Sequence, residues 1–356
     1  MIVVHLGEYV SGGVATYLKT LITEQIADPK IDKIYLLMSQ HKSQKLHFDS
    51  DKVEVMYYDY RRNAKGVLKL LMLWRKIVAL HADVVHLHSS FAGLMRVRYL
   101  FARPSLRRHI KIVYCAHGWS FSRKVSPWKQ QVYVMLERAL AFKNIRIINI
   151  SQSEQRIALS KGFDPRRMTV IDNAITYEPG VANKTPHQGK NFLFVGRFDR
   201  QKGFDVLLKA AELVNPDIHF KVVGAPVLDD EAMANRYPDN VESLGWLNAE
   251  QVAAAYDDVD ALIIPSRWEG FGLVALEAMS QHTAVIASRV GGLQDIVVDG
   301  ETGMFFTSED FRELASLLND TTPELLGAMG KRGYQRLVKH YDPKKMERQI
   351  YELYAE

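Results

Sequence analysis

The chain has 356 residues, of which 47% are hydrophobic and 24% are charged, and this composition excludes a disordered or fibrous protein. The single cysteine, Cys115, excludes an internal disulfide framework and a cysteine-based zinc site, and it suits a reducing compartment such as the cytoplasm. The longest apolar stretch, residues 67–80, is interrupted by Lys69, Arg75 and Lys76, so the sequence offers no membrane-spanning segment.

Charge is divided unevenly along the chain. Residues 1–170 hold 28 Lys and Arg against 12 Asp and Glu, a formal charge of +16, whereas residues 171–356 carry −11. Two halves of opposite charge indicate two kinds of partner. The basic half shows no helix-turn-helix, zinc module or RNA-binding aromatic pair, so we expect no nucleic-acid partner. An anionic membrane surface or a phosphorylated lipid fits the positive charge instead.

In the first half, short β-rich runs alternate with helical patterns, which is typical of parallel βαβ units. The run at residues 2–7 has no basic segment before it and reads as a first strand rather than a signal peptide. The predicted strands are residues 2–7, 34–39, 53–58, 84–89, 111–117, 146–151 and 168–173.

Residues 176–190 contain two prolines and two glycines without apolar periodicity, and they are predicted to be a linker. The strand and helix pattern then restarts. Strands are predicted at 191–197, 219–224, near 241–245, 261–266 and 284–288, helices at 203–214 and 248–257, and two further helices from about residue 309 onward.

This order predicts an α/β protein with two Rossmann-like doubly wound domains facing a central cleft. We expect an N-terminal domain at residues 1–175, a linker at 176–190 and a second domain at 191–335. The last helix, residues 336–356, is predicted to cross back to the first domain.

The stretch EGFGLVALEAMS, residues 269–280, combines two carboxylates with two glycines at a predicted helix start near Gly272. Backbone N–H groups at a helix start bind anions, and glycine lets a ligand approach closely. Glu269 and Glu277 beside such a site suit a ligand with phosphates in its middle and hydroxyl-bearing rings on both sides, as in a nucleotide sugar. The alternative is a surface helix whose two acids are only solvated.

That stretch, preceded by ALIIPS, resembles the donor-site motif of glycosyltransferase family 4, whose members are retaining enzymes of the GT-B architecture. FVGRFDRQKGFDVLLKA, residues 194–210, resembles the family's loop that carries an arginine and a lysine, here Arg197 and Lys202. GEYVSGGVATYL resembles its N-terminal glycine-rich loop, with Gly12 and Gly13. YCAHGW resembles the segment bearing a histidine near the donor sugar, here His117.

The resemblance implies a role for each matched residue. Arg197 and Lys202 hold the leaving diphosphate, His117 and Glu269 contact the sugar, and these four form the expected catalytic set. Glu277 binds the ribose hydroxyls, and the glycines at 12 and 13 allow close approach of the diphosphate and the acceptor. The remaining substrate-binding residues are expected along the helix start, at Phe271, Gly272, Leu273 and Val274.

Two features admit more than one interpretation. His86 and His88 alternate on one strand face and could bind a metal, but the sequence suggests no third ligand, and packing is the preferred explanation. Residues 65–81 form an apolar helical stripe with Lys65, Lys69 and Lys76 on the other side. This stripe suits either a core helix or docking on a membrane surface.

We therefore expect a hexosyltransferase that acts in surface polysaccharide or lipopolysaccharide synthesis, with a UDP-sugar favoured over a GDP-sugar. The expected acceptor is a saccharide, carried on polyprenyl diphosphate or free. No metal or other cofactor is expected, because the cationic side chains and the helix start supply positive potential. The expected location is the cytoplasm, with peripheral contact on the membrane. A nucleotide-sugar epimerase and an inert carbohydrate-binding relative are the alternatives.

Overall fold

The computed structural model describes residues 1–122, 126–142, 144–178, 184–226 and 237–356, and this chain divides into two units. Unit 1 comprises Met1–Ile175 together with Pro343–Glu356, and unit 2 comprises Thr176–Asp342. Each unit is built on one parallel sheet with helices between most consecutive strands, as the alternating pattern predicted.

Unit 1 contains a seven-stranded sheet in the order β3-β2-β1-β4-β5-β6-β7. Its strands are β1 Ile2–Gly7, β2 Lys33–Ser39, β3 Val53–Tyr58, β4 Val84–His88, β5 Lys111–Cys115, β6 Ile145–Asn149 and β7 Met168–Val170. The helices among them are α1 Gly13–Ala27, α2 Ala64–Ala79, α3 Met95–Leu100, α4 Pro104–His109, α5 Pro127–Leu140 and α6 Gln152–Ser160, with 3₁₀ turns at Ala92–Leu94, Ser120–Ser122 and Pro165–Arg167.

The first sheet has its switch point between β1 and β4. The chain runs outward from β1 to β3 and then returns to place β4 on the other side of β1. Parallel sheets bind ligands beyond the carboxyl ends of the strands at such a point. In unit 1 those ends are Gly7 and His88, and the neighbouring strand β5 ends at Cys115, two residues before His117.

Unit 2 contains a six-stranded sheet in the order β10-β9-β8-β11-β12-β13. Its strands are β8 Lys190–Val195, β9 Ile218–Val223, β10 Val241–Gly245, β11 Ala261–Ile264, β12 Ala284–Ser288 and β13 Gly303–Phe306. Its helices are α7 Phe204–Ala211, α8 Ala249–Ala254, α9 Leu273–Ser280, α10 Leu293–Ile296, α11 Phe311–Asp320 and α12 Pro323–His340. The switch point lies between β8 and β11, which carry the two loops of the predicted donor site.

Three helices follow residue 309, not the two predicted, and the helix α13 Pro343–Ala355 completes the chain. Prolines begin α12 and α13, and a proline disfavours helical geometry in the residue before it. The predicted boundary at 336 is therefore wrong, because residues 336–340 continue α12 in unit 2. Helix α13 packs against α1 and β5 within unit 1.

One further boundary and two short elements differ from the prediction. The predicted linker extends to residue 190, but Lys190 begins β8 and is buried. Its Nζ donates to the carbonyl oxygens of Leu318, Asn319 and Thr321. This lysine therefore offsets the partial negative charge at the C-terminal end of α11 instead of facing solvent. The short elements β13 and α10 were not predicted, because four residues are too few to show a period.

The apolar stripe predicted at 65–81 is one face of helix α2. Leu70, Trp74 and Ile77 are buried in the core of unit 1, so the central stripe packs against the sheet. Leu68 and Met72 are 61% and 60% exposed, which leaves a narrow apolar strip facing outward. Among the described residues, no helix is long and apolar enough to cross a membrane.

Candidate functional site

Two loops at the switch point of unit 2 carry the predicted donor-site residues. Lys202 lies in the loop after β8, and Glu269 lies in the loop after β11. The loops meet at Gly203, whose φ is +68° and where a Cβ atom would lie 1.9 Å from the carbonyl oxygen of Pro265. Only glycine fits such a position, so close backbone packing brings Lys202 beside the loop of Glu269.

Lys202 and Glu269 form an ion pair in which Nζ donates to Oε2 over 2.8 Å. Ser266 Oγ donates to the same carboxylate oxygen over 3.2 Å. The two charged side chains are only 18% and 12% exposed, so water screens them weakly. An ammonium has three N–H donors, and Lys202 can therefore hold a second anion while it stays bonded to Glu269.

Helix α9 begins beside this ion pair. Gly272 precedes the helix with φ +110°, and no described side chain caps the helix start. Its first backbone N–H groups are donors without an intrahelical partner, and they carry the positive end of the helix dipole. Phe271 and Leu273 are buried and Val274 is half-buried, so these residues supply backbone donors and packing rather than exposed side chains.

Glu277 lies one turn into α9. Burial raises the pKa of its carboxyl group, and the positive charge of Lys202 opposes that rise. The structure therefore places three predicted residues, Lys202, Glu269 and Glu277, in one electrostatically coupled group.

The backbone around Glu269 is held by a pair of glycines that the sequence analysis did not single out. A Cβ atom on Gly291 would lie 1.8 Å from the carbonyl oxygen of Glu269, and one on Gly292 would lie 2.5 Å from that of Gly270. The amide N–H of Gly292 also donates to the Glu269 carbonyl over 3.1 Å. Consecutive glycines after a predicted strand were the available signal for this close approach.

Arg197 is exposed in the structure. Its side chain is 46% exposed and pairs with Asp199 over 2.9 Å, and it shares no contact with Lys202 or Glu269 among the described interactions. Arg267, which was not predicted, joins the two loops, because its guanidinium donates to the carbonyl oxygen of Arg200 in the loop of Lys202 over 2.9 Å. Arg267 makes a two-pronged bond to Asp205 over 2.7 and 2.8 Å and donates to Glu309 over 2.5 Å.

In unit 1, Gly12 and Gly13 lie at the start of α1, beyond the end of β1. Gly12 has φ +54°, and a Cβ atom there would meet nothing within 4 Å, so the space above this backbone is open. No described side chain caps α1, and its first turn holds no acidic residue. Glu8 in the same loop is buried and pairs with Arg62.

His117 follows β5 in a strained conformation, because its φ is +51° and such values are rare for residues other than glycine. Glu154 lies beside this turn, because its buried carboxylate accepts from the backbone N–H of Ile150 over 3.0 Å and the N–H groups of Gly118 and Trp119 lower its pKa. Strain of this kind persists only where the surroundings enforce it, and it is concentrated at functional sites.

His117 belongs to a chain of imidazoles. Its Nε2 lies 3.0 Å from Nδ1 of His88, and Nε2 of His88 lies 3.0 Å from Nδ1 of His5. Burial lowers the pKa of His117 to about 3 and that of His5 to about 4, and it lowers the pKa of His88 in the same direction. All three rings are therefore neutral at physiological pH.

His86 also packs into this cluster. The sequence suggests no third metal ligand beside His86 and His88. That prediction is wrong, because the structure brings His5 close enough to be one: nitrogen atoms of His5, His86 and His88 lie within 4.8 Å of one another. The three rings are buried, and His5 and His88 bond to each other, whereas Nε2 of His86 has no hydrogen-bond partner among the described residues. Hydrogen-bonded packing, the preferred explanation for His86 and His88, stays a prediction.

Two family models match consecutive parts of the chain. A model described as Glycosyltransferase Family 4 matches residues 11–178, and one described as Glycosyl transferases group 1 matches residues 181–336. The chain belongs to the group 1 and family 4 glycosyltransferases. The two matched ranges include every residue of the predicted site.

Two relatives match this glycosyltransferase over most of its length. A protein described as an uncharacterised 41.2 kDa protein in the cps region of Klebsiella pneumoniae is 31% identical over 334 residues, 90% of each chain. The UDP-Gal:α-D-GlcNAc-diphosphoundecaprenol α-1,3-galactosyltransferase of Escherichia coli is 26% identical over 317 residues, covering 82% of this chain and 80% of its own.

Solved structures share the fold of the glycosyltransferase. Sucrose-phosphate synthase from Thermosynechococcus elongatus has a TM-score of 0.85 at 21% identity and covers 99% of this chain and 98% of its own. Anabaena HepE, solved in complex with UDP and glucose, has a TM-score of 0.74 at 20% identity and covers 99% of each chain. The predicted family and the GT-B fold class with two Rossmann-like domains are therefore confirmed, while the role of each site residue stays a prediction.

Proposed function

We propose that this glycosyltransferase moves a hexose or N-acetylhexosamine from a UDP-sugar to a saccharide acceptor with retention of configuration. A GDP-sugar is the second choice of donor. The acceptor is a lipid-linked saccharide, and the product enters a surface polysaccharide or lipopolysaccharide. The observation that carries this proposal is the weakly screened Lys202–Glu269 pair beside the glycine-initiated helix α9.

The donor diphosphate is assigned to the start of α9. Backbone N–H groups of Gly272, Leu273 and Val274 offer donors, and Lys202 adds a full positive charge within the same group of residues. These groups stabilise the negative charge that grows on the diphosphate as the glycosidic bond breaks. Arg197 has an exposed guanidinium on the loop of Lys202 and can turn to the diphosphate when the donor binds.

The acids act on hydroxyl groups rather than as nucleophiles. Glu277 accepts bonds from the ribose, and Glu269 accepts bonds from the transferred sugar while Lys202 and Ser266 fix its orientation. His117 contributes the hydroxyl contact that the family resemblance implies. The nucleobase of the donor is assigned to the backbone at residues 245–247, where Gly245 has φ +66° and Trp246 is 64% exposed.

The reaction proposed here needs no metal ion, because Lys202, Arg197 and the helix start supply the positive potential. The bond between the anomeric carbon and the phosphate oxygen breaks, and the acceptor oxygen bonds to the same face of that carbon. The departing phosphate takes the acceptor's proton, so charge balances without a protein nucleophile.

The choice of donor and acceptor is supported by the relatives. The name of the Escherichia coli relative specifies UDP-galactose and a diphosphoundecaprenol-linked sugar, and the Klebsiella relative is described as part of a cps region. Anabaena HepE was solved with UDP and glucose. The formal charge of +16 over residues 1–170 suits peripheral contact with an anionic membrane on the cytoplasmic side, where such a lipid-linked acceptor is reached.

The first test is a screen of UDP- and GDP-sugars for thermal stabilisation, followed by transfer assays with the donors that bind. A ligand at 100 times its dissociation constant stabilises by about 2.7 kcal/mol. Wild-type protein should transfer sugar from a UDP-sugar, and Lys202→Ala should lower kcat by about 10²–10³-fold. Lys209→Ala is the matched control, because Lys209 is an exposed lysine on the neighbouring helix α7.

Three outcomes of the same assays would contradict the proposal. Conversion of the donor's own stereochemistry without an acceptor would indicate an epimerase. Binding without turnover by any donor and acceptor pair would indicate an inert carbohydrate-binding relative. Full activity of Lys202→Ala would remove the diphosphate site from its assigned position.

A further inference from the structure

A continuous hydrogen-bonded chain connects the core of unit 1 to His117. It starts at Gln25 on α1, whose Oε1 lies 2.8 Å from Nε2 of His5 on β1. It continues through His88 at the end of β4 and reaches Nε2 of His117 after β5, with both ring-to-ring distances at 3.0 Å. Gln25, His5 and His88 are buried, with exposures of 0%, 0% and 1%.

The chain has a direction because a neutral imidazole has one N–H donor and one acceptor nitrogen. If the amide oxygen of Gln25 accepts from His5, then Nδ1 of His5 must accept from His88, and Nδ1 of His88 must accept from His117. The distance of 2.8 Å between Gln25 and His5 is typical of an N–H···O bond. This direction leaves His117 with a proton on Nε2 and a bare lone pair on Nδ1.

Helix α13 holds the amide of Gln25 in that orientation. The amide nitrogen of Gln25 donates to the hydroxyl of Tyr354 over 3.4 Å, and that hydroxyl lies 2.7 Å from Nδ1 of His86. Tyr354 is fully buried in unit 1, so the last helix of the chain closes the network at its inner end. This contact gives the C-terminal helix a specific link to the histidine cluster.

We propose that Gln25, His5, His88 and Tyr354 are positioning residues that hold His117 in the tautomer with Nε2 protonated, so that Nδ1 accepts a hydrogen bond from substrate. The substrate group is a sugar hydroxyl, and this part rests on the proposed function. Each buried ring is kept neutral, since burial lowers the pKa of His5 and His117 to about 4 and about 3. His117 stands at the end of this chain with an uncommon backbone φ of +51°.

The direct test reads the tautomer in the wild-type protein and needs a variant only to assign the signals. Full-length protein labelled with ¹⁵N-histidine gives one pattern for each of the 12 histidines in long-range proton–nitrogen correlation spectra, and loss of one pattern in His117→Asn identifies His117. The expected spectrum shows protonated Nε2 and unprotonated Nδ1 for His5, His88 and His117. Protonation of His117 at Nδ1, or a charged ring at pH 7.5, would overturn the proposal.

Two substitutions at Gln25 separate positioning from simple packing. Gln25→Leu keeps the volume but removes the acceptor, and it should mix the tautomers of His117 and lower kcat about tenfold with little change in KM. Gln25→Glu keeps an acceptor for His5 and should restore both the tautomer and most of kcat. A Gln25→Leu protein with the wild-type His117 spectrum and wild-type kcat would refute the assignment.

The outcomes also separate this proposal from its competitors. If the spectra show the expected tautomers but no donor is turned over, then the proposed function fails while the assigned network stands. If chelator-treated protein binds Zn²⁺ in a 1:1 complex that abolishes the signals of His5, His86 and His88, then the cluster is a metal site and the network is wrong.

Discussion

Replacing Gly203 with alanine tests whether backbone packing holds the two donor-site loops together. Gly203 has φ +68°, and a Cβ atom there would lie 1.9 Å from the carbonyl oxygen of Pro265, which precedes Ser266 and the loop of Glu269. The left-handed conformation costs alanine about 1–2 kcal/mol. Relief of the contact requires the two loops to separate, and overpacking of this kind costs a further 1–3 kcal/mol, approximately. We expect a total loss of about 2–5 kcal/mol.

Gly300→Ala is the matched control for this substitution. Gly300 has φ +74°, but a Cβ atom there meets nothing within 4 Å, so only the conformational cost of about 1–2 kcal/mol applies. Urea unfolding followed by circular dichroism gives the two losses in stability, and donor turnover of the folded variants gives the effect on the site. Equal destabilisation of the two variants, with equal turnover, would refute the argument that Gly203 holds Lys202 beside Glu269.

Three further predictions follow from groups elsewhere in the chain. Arg96→Met should destabilise the protein by about 3–5 kcal/mol, because the buried carboxylate of Glu137 loses its positively charged partner and keeps only the hydrogen bond from Tyr114. The double variant with Glu137→Gln should recover part of this loss in urea unfolding. An unchanged unfolding midpoint in the single variant would be inconsistent with a buried ion pair. Burial raises the pKa of Glu154 from 4.5 to about 7, so the folded state binds the carboxyl proton more tightly than the unfolded state does. The free energy of unfolding should therefore fall by roughly 3 kcal/mol at most as pH rises from about 4.5 through 7. Glu154→Gln should remove that part of the pH dependence while the same trend from Glu347 remains, and an identical pH profile would count against the shift. Wild-type protein should cosediment with anionic vesicles, and neutralisation of Lys65, Lys69 and Lys76 on α2 should weaken this binding about tenfold or more. Equal vesicle binding by the wild type and the neutralised variant would end the membrane proposal.

Much of the donor side could be predicted from the sequence, because its residues are close together along the chain. Residues 269–277 span a single loop and helix start, and glycine marks where the helix begins. The ion pair from Lys202 to Glu269 joins residues 67 positions apart, yet both loops follow strands that read clearly as β. The switch point of a doubly wound sheet brings such loops together without further information.

The histidine network could not be predicted, because its members come from two strands, the turn after a third strand and two helices. His5 and His88 are 83 positions apart and meet only because β1 and β4 are neighbours across the switch point. Each histidine alone is indistinguishable from a packed core residue. Its partner is defined by strand order, which single-sequence patterns do not give.

Arg267 was missed for a related reason. It stands between a predicted strand and the glutamate motif, where an arginine reads as a solvated loop residue. Its partners Asp205 and Glu309 lie 62 and 42 positions away, and they are exposed acids in the sequence pattern. Side chains that join loops to one another are found through tertiary contacts rather than through periodicity.

Isothermal titration of UDP and uridine into wild-type, Lys202→Ala and Lys209→Ala proteins tests the central claim that unit 2 binds a diphosphate between Lys202 and the start of α9. We predict that Lys202→Ala weakens UDP binding by at least about tenfold, or 1.4 kcal/mol, while uridine binding and the Lys209→Ala control stay at wild-type values. Wild-type affinity of Lys202→Ala for UDP, or an equal loss for uridine, would contradict the claim.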